Sequence, residues 1–212
     1  SPQPHRFPLT QLSEEEQIFQ QTVGSFAREA LLPHVKDMDE KGLFDTKIIE
    51  QFFELGLMGI EIPNSLGGAG SNLFMSVLAV EELSRIDASA GVIVDVQNTL
   101  VNNGILRWGT EEQKDKFLRP MLTGEYNSWQ KFTEPQSGAD LANYQSTAVR
   151  DGDDWILNGR NVFVSGRPNT EWGLGGPTYM WGPMLTDLDA PRHRNLGFFM
   201  IPTDVEGVTM RE

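Results

Sequence analysis

Phe132-Thr133-Glu134-Pro135-Gln136-Ser137-Gly138-Ala139-Asp140 is the stretch on which the fold turns. By itself it reads as a strand running into a turn. Pro135 has no amide to give a sheet ladder, so it marks a strand end or an edge. Gly138 lets a ligand approach the backbone closely, and exposed amides in such a turn can hold a phosphate oxygen. An ordinary β-turn with a strand-end threonine would also account for these residues. A second stretch, Asn158-Gly159-Arg160-Asn161-Val162-Phe163-Val164-Ser165-Gly166, follows at a spacing that allows two neighbouring strands.

Around these stretches the pattern is alternating and rich in turns. Gln145–Arg150 and Trp155–Leu157 flank Asp151-Gly152-Asp153-Asp154, a hairpin signal. Asn158-Gly159 is a further turn. Asn161–Ser165 and Gly197–Ile201 read as strands, and Asp204–Gly207 as a turn before a last strand at Val208-Thr209-Met210. Trp172–Pro183, rich in Gly and Trp, reads as an insertion in which strand positions are not fixed. The expectation for residues 125–212 is a small antiparallel β-sheet or open barrel.

Residues 1–124 carry helical spacing instead. Ser13-Glu14-Glu15-Glu16 forms a capping box, followed by an apolar stripe of Ile18, Phe19, Val23, Phe26, Ala27 and Ala30. Pro33 is expected to limit that helix. A second helix runs from about Thr46 to Leu55, with Ile48, Ile49, Phe52 and Phe53 inward and Gly56 at its C-terminal end. Leu57–Pro63 is a short apolar link, and Ser65–Gly70 is a glycine-rich loop. Ser71 or Asn72 caps a third helix, Leu73–Arg85. A fourth, Ala88–Trp108, is apolar enough to be central. Thr110-Glu111-Glu112-Gln113 opens a fifth that ends near Pro120. The fold class expected is therefore α+β: an all-helical domain followed by a β domain.

Composition narrows the function classes. The 212 residues include 17 basic and 30 acidic side chains, for a formal net charge of −13. That balance argues against nucleic acid as the main partner, because phosphate-backbone binding needs clustered Lys and Arg. The absence of cysteine rules out disulfide scaffolds, thiolate zinc sites and thiol nucleophiles. The three histidines, among them the isolated His5 and His34, form no metal constellation. No apolar run approaches the ~20 residues of a membrane-spanning helix. Ser1–His5 is neither a signal peptide nor an Arg-rich transit peptide.

At Thr133–Asp140 and Gly159–Gly166 the chain resembles the acyl-CoA dehydrogenase family, whose motifs read T-E-P-x-x-G-S-D and G-x-K-x-[WF]-I-[ST]-[NSG]. Here Ala139 replaces the serine and Asn161 the lysine. Ser65–Gly70, Leu55–Ile60, Glu81–Leu83 and Gly109–Lys114 are similar to family segments in the same order. The resemblance implies an FAD site between the β domain and a C-terminal helical bundle absent from this chain. Phe132 and Thr133 match positions that hydrogen-bond the flavin ring, and Gln130 sits where the family often has an aromatic. Gly138 and Ala139 match the turn near the FAD pyrophosphate and the entrance for CoA. Phe163 matches the aromatic packed on the isoalloxazine, with Val164 and Ser165 beside it. Arg192, His193 and Arg194, in the loop Asp189–Arg194, match a CoA-contacting loop, against the plainer reading of a solvated hairpin. Asp95–Leu100, including Asn98, is similar to an acyl-pocket helix of short/branched-chain members. The middle domain is closer to bacterial members of broad substrate range.

The activity implied is FAD-dependent α,β-desaturation of an acyl-CoA. Its carboxylate base would lie in a C-terminal domain or partner chain, so no residue here is assigned as catalytic. Electron-transfer flavoprotein is the expected acceptor, and the cytoplasm or mitochondrial matrix the expected compartment. Two other classes stay open: a non-catalytic interaction subunit on the same scaffold, and a divergent flavin oxidase or monooxygenase.

Overall fold

The computed structural model describes Pro8, residues 11–164 and residues 177–211. The chain divides into two compact units, Ser1–Thr123 and Gly124–Glu212.

The first unit is helical. α1 (Glu14–Phe26) starts on the expected capping box: the Ser13 hydroxyl accepts from the Glu16 amide at 3.3 Å, and the Glu16 carboxylate accepts from the Ser13 amide at 2.7 Å. Val23 and Ala27 are buried, whereas Ile18 is exposed, so the inward stripe is narrower than its spacing suggests. Pro33 does not end the helix. A π-helical turn, Ala27–Leu31, leads directly into α2 (Leu32–Lys41), with Pro33 near its start. The wider turn already moves the Leu32 amide onto Ala27 O, which relieves the usual clash of the proline ring with the carbonyl four residues back. The same device recurs at Pro120. The capping box at Thr110 opens α7 (Glu111–Gln113), a π turn spans Lys114–Leu118, and α8 (Arg119–Leu122) runs past the proline to Leu122.

Between these lie α3 (Thr46–Glu54), α4 (Leu73–Ser84), capped by Asn72, and α5 (Ala88–Asp95). The last continues through a π segment, Val96–Asn102, into α6 (Asn103–Trp108). Leu31, Phe52, Leu57, Leu83 and Val94 are essentially sealed from water in one core cluster. At about 1.5–3 kcal/mol per large buried apolar side chain, this cluster is the main driving force for the unit. His34 is not isolated: its Nδ1 lies 3.0 Å from the Asp45 carboxylate. His5 lies outside the described residues.

The second unit is a five-stranded open sheet. β1 (Asn127–Gln130), β2 (Thr147–Asp151), β3 (Asp154–Asn158), β4 (Thr178–Leu185) and β5 (Leu196–Pro202) are its strands. The Asp151–Asp154 hairpin joins β2 and β3 as the sequence predicts, pairing Asp151 with Asp154 and Thr147 with Asn158. The sheet is mixed rather than purely antiparallel. β4 runs antiparallel to β5 but parallel to β1, and meets β2 in parallel at Thr147–Leu185. The long connection between β1 and β4 permits a parallel crossover that no hairpin could make.

Three strand expectations change. The stretch assigned to an insertion supplies the central strand β4, with Trp172–Gly176 outside the described residues. Asn161–Val164 is not a strand but hangs on Thr133, while Ser165 lies outside the described residues. Val208–Met210 pairs with no strand among the described residues.

Candidate functional site

The two motif stretches meet at one carbonyl. β1 ends at Gln130; the Lys131 amide still donates to Trp181 O, but the Lys131, Phe132 and Thr133 carbonyls need other donors. Thr133 O accepts from the Val162 amide at 2.9 Å and from Asn161 Nδ2 at 3.2 Å. Tyr144 Oη donates to Phe132 O at 2.7 Å, with Lys131 O 3.1 Å away as a second acceptor, and itself accepts from Asn161 Nδ2 at 3.3 Å. Burial is the main force pushing the Tyr144 phenol up to about 12, against the Asn161 contact and aided by the Glu134 charge. It therefore stays a donor throughout the neutral range.

With the carbonyl side of this segment taken, its other side is open. Among the described residues neither the Phe132 nor the Thr133 amide has an acceptor. The Phe132 ring packs on Phe198, centroids 5.9 Å apart, and Phe198 packs on Trp181. Phe163 stands 90% exposed with φ of 57°. A bulky residue at positive φ that buries nothing is strained. Val164 is half-buried beside it. Gln130 Nε2 is buried with no partner among the described residues, as are Trp129 Nε1 and Ser128 Oγ. The open Phe132 and Thr133 amides and the bare Phe163 ring fit a planar, polar-edged ligand such as a flavin.

The adjoining turn is rigid from within. Glu134 and Ser137 exchange amide–carbonyl bonds at 2.8 and 3.1 Å, and Ser137 Oγ donates to Asp140 O. The Glu134 carboxylate is only 3% exposed and accepts from the Gln145 and Ser146 amides at 2.8 Å each, and from Gln136 Nε2. Burial alone would raise its pKa, but these hydrogen bonds together outweigh it and hold the carboxyl below the ordinary range. Glu134 is thus the anchor of the turn. Gly138 and Ala139 sit exposed on its outside, and a Cβ at Gly138 would meet no protein atom within 4 Å. The protein itself therefore does not require glycine there.

Gly159 is required by the protein, since a Cβ there would come within 2.1 Å of Ser146 Oγ. That close approach is what lets the second motif reach back to Thr133.

Lys131, only 4% exposed, has a place dictated by Pro183 in the middle of β4. Trp181 O accepts from the Lys131 amide, and four residues on, the Leu185 amide donates to Ser146 O beside β2. Pro183 stands where the next parallel rung would donate to Lys131 O, and the Tyr144 hydroxyl lies 3.1 Å from that carbonyl instead. The Pro183 carbonyl would be orphaned there, and Lys131 Nζ donates to it at 3.1 Å, 5.9 Å from the centre of the Tyr144 ring. Burial lowers the Lys131 pKa from 10.5 to about 8, against the pull of Glu134.

The basic loop belongs to the same end of the sheet. Ser146 links Glu134 to Leu185, and Leu185 pairs with Leu196 where the β4–β5 loop begins. Asp187 Oδ1 accepts from the Asp189 and Ala190 amides at 3.0 and 3.1 Å, and the Arg194 amide donates to Pro191 O. Arg192, His193 and Arg194 are exposed beyond this turn, and His193 has φ of 69°.

Asn98 is different. It lies in the helical unit, 1% exposed, with Oδ1 accepting from the Ile60 amide at 2.8 Å and Nδ2 donating to Leu57 O and Val94 O at 2.7 and 2.8 Å. Both amide protons are spent on the backbone, so Asn98 clamps the Leu57–Gly59 turn and offers a ligand no donor. Nearby, Gln97 Nε2 donates to Asn102 Oδ1 and Asn102 Nδ2 to Met58 O, both buried along the π segment. Tyr144, Lys131 and Ser146 escaped the sequence reading because their partners are remote. The one usable signal is Pro135, which marks where the strand ends.

A helical unit followed by a mixed sheet that joins these two motifs defines a flavoenzyme-like dehydrogenase scaffold. The chain belongs to the acyl-CoA dehydrogenase family: "Acyl-CoA dehydrogenase, N-terminal domain" matches residues 13–125, and "Acyl-CoA dehydrogenase, middle domain" matches residues 130–212. A probable short/branched chain specific acyl-CoA dehydrogenase of Dictyostelium discoideum is 42% identical over 159 residues, 74% of this chain and 38% of that protein. The acyl-CoA dehydrogenase of Geobacillus kaustophilus superposes with TM-score 0.81 at 31% identity, covering 92% of this chain and 50% of that one. A glutaryl-CoA dehydrogenase from Mycobacterium smegmatis in complex with FADH2 superposes with TM-score 0.79 at 31% identity, covering 92% and 47%. The chain thus spans half or less of the length of these relatives. Among the described residues no cluster of three or more His, Asp or Glu could hold a metal ion, and no helix is long and apolar enough to cross a membrane.

Proposed function

We propose that the chain forms the N-terminal and middle portion of an FAD-dependent acyl-CoA dehydrogenase that desaturates an acyl-CoA between its α and β carbons. The observation that carries this reading is the convergence of both motifs on Thr133 O, which leaves the Phe132 and Thr133 amides and the Phe163 ring open. When bound, FAD supplies the hydride acceptor for the substrate's β-hydrogen. Phe132 and Thr133 present amide and hydroxyl donors to the flavin ring, where preorganised donors stabilise developing negative charge. Phe163, Val164 and Ser165 line the ring, with Gln130 as a further donor. Gly138 and Ala139 receive the pyrophosphate and the incoming CoA through backbone amides. Arg192, His193 and Arg194 attract CoA phosphates. The base that removes the α-proton comes from a C-terminal domain or partner chain, and electron-transfer flavoprotein is the acceptor. The cytoplasm or the mitochondrial matrix would suit such an enzyme.

The test is anaerobic addition of short and branched acyl-CoAs to the natural full-length protein. Bleaching of its flavin with formation of the enoyl-CoA is expected. A protein that binds no flavin would favour an interaction subunit, and rapid reoxidation of the reduced flavin by oxygen would favour an oxidase.

A further inference from the structure

We propose that Tyr144 and Asn161 form a positioning bracket that aims the Phe132–Thr133 amide edge at the flavin ring; this rests on the FAD reading above. The reasoning is peptide geometry. A trans peptide is planar, so holding a carbonyl on one side points the next residue's N–H to the opposite side. Tyr144 Oη holds Phe132 O at 2.7 Å, which turns the Thr133 amide outward. The same hydroxyl lies 3.1 Å from Lys131 O, which does likewise for the Phe132 amide. Asn161 Nδ2, with the Val162 amide, holds Thr133 O, and the Glu134 amide is accordingly delivered to Ser137 O. Three consecutive carbonyls are thus pinned inward by two side chains, one backbone amide and no strand.

The bracket also couples the two motifs. Asn161 reaches both Thr133 O and Tyr144 Oη, so the peptide that aims the donors and the segment that carries Phe163 move as one. Asn161 stands where the motif has lysine, and Tyr144 lies in neither motif. In this chain the aim of the donor edge is therefore set by an amide and a phenol, both uncharged at neutral pH.

The test uses the natural full-length protein with Tyr144→Phe, which deletes only the hydroxyl and keeps the ring, and Asn161→Ala as the second variant. FAD affinity and the flavin reduction potential are measured. Met184→Leu, in the sheet core with Ala148 and Ile201, serves as a comparator. The expected result is FAD binding about tenfold weaker in each bracket variant, the scale of one lost buried hydrogen bond, with a more negative potential. Met184→Leu lowers the melting temperature and moves neither. Should Tyr144→Phe fail to fold, Asn161→Ala carries the same expectation. Parental affinity and potential in a folded bracket variant would overturn the bracket while leaving the FAD reading intact. A parental protein that takes up no FAD overturns both.

Discussion

Replacing Lys131 by methionine removes the ammonium that caps Pro183 O while keeping an unbranched apolar stem. In the folded protein Lys131 gives up its proton at about pH 8, against 10.5 for the free side chain, chiefly because burial disfavours its charge. Below pH 8 both folded and unfolded states are protonated, and folding bears the full burden of burying the charge. Between about 8 and 10.5 the unfolded state holds more protons, so stability rises with pH. At about 1.4 kcal/mol per pKa unit, the whole rise is about 3 kcal/mol. Tyr144 acts in the opposite sense: its raised pKa makes the folded state the better proton binder between about 10 and 12, so its contribution falls there. Lys131→Met is expected to abolish the rise between pH 8 and 10. At neutral pH it relieves the burial burden but orphans Pro183 O, which costs about 1–2 kcal/mol, so the variant should be about as stable as the parent or slightly more so. Urea denaturation across this pH range measures both. A parental slope in Lys131→Met, or a loss of several kcal/mol at neutral pH, would refute a buried, charge-penalised lysine.

Glu134→Gln swaps an acceptor for a donor against one of the Gln145 and Ser146 amides and should destabilise by about 3 kcal/mol. Because the Glu134 pKa is lowered, its contribution is present above the ordinary carboxylate pKa and is lost as pH falls through the folded value. Acid denaturation of the variant should therefore be flatter than the parent's. Asn98→Ala forfeits three buried hydrogen bonds and leaves the Ile60 amide without its Asn98 acceptor, for a loss of about 3 kcal/mol visible in urea melts, with flavin content unchanged in protein that remains folded. Arg192→Ala with Arg194→Ala should weaken CoA binding several-fold at low salt and progressively less as salt rises, since exposed charges are screened. Calorimetry with CoA at two ionic strengths reads this directly.

Local chemistry made much of the fold legible. Ser13, Thr110 and Asn72 announce their helices because a cap is a bond between near neighbours. The Asp151–Asp154 hairpin and β5 follow from turn residues and alternation. The helices through Pro33 and Pro120 were hidden because a π turn that accommodates a proline leaves no composition signal. β4 was hidden because Gly182 and Pro183 look like breakers, and only the assembled sheet shows what accommodates them. Gly182 is obligatory there, since a Cβ would come within 2.2 Å of Lys131 O. At the site, Phe132, Thr133, Gly138 and Phe163 could be singled out from two motifs. Tyr144 and Lys131 could not, because what they satisfy are carbonyls that become orphans only once the sheet is assembled.

The most direct measurement is FAD binding by the natural full-length protein and by its Phe163→Ala variant, followed by visible absorption and equilibrium titration. Stoichiometric flavin in the parent is expected, with at least tenfold weaker binding once the exposed ring is removed. A parent that stays colourless with excess FAD, or a variant that binds it equally well, would contradict a flavin-holding wall built on Thr133 and Phe163.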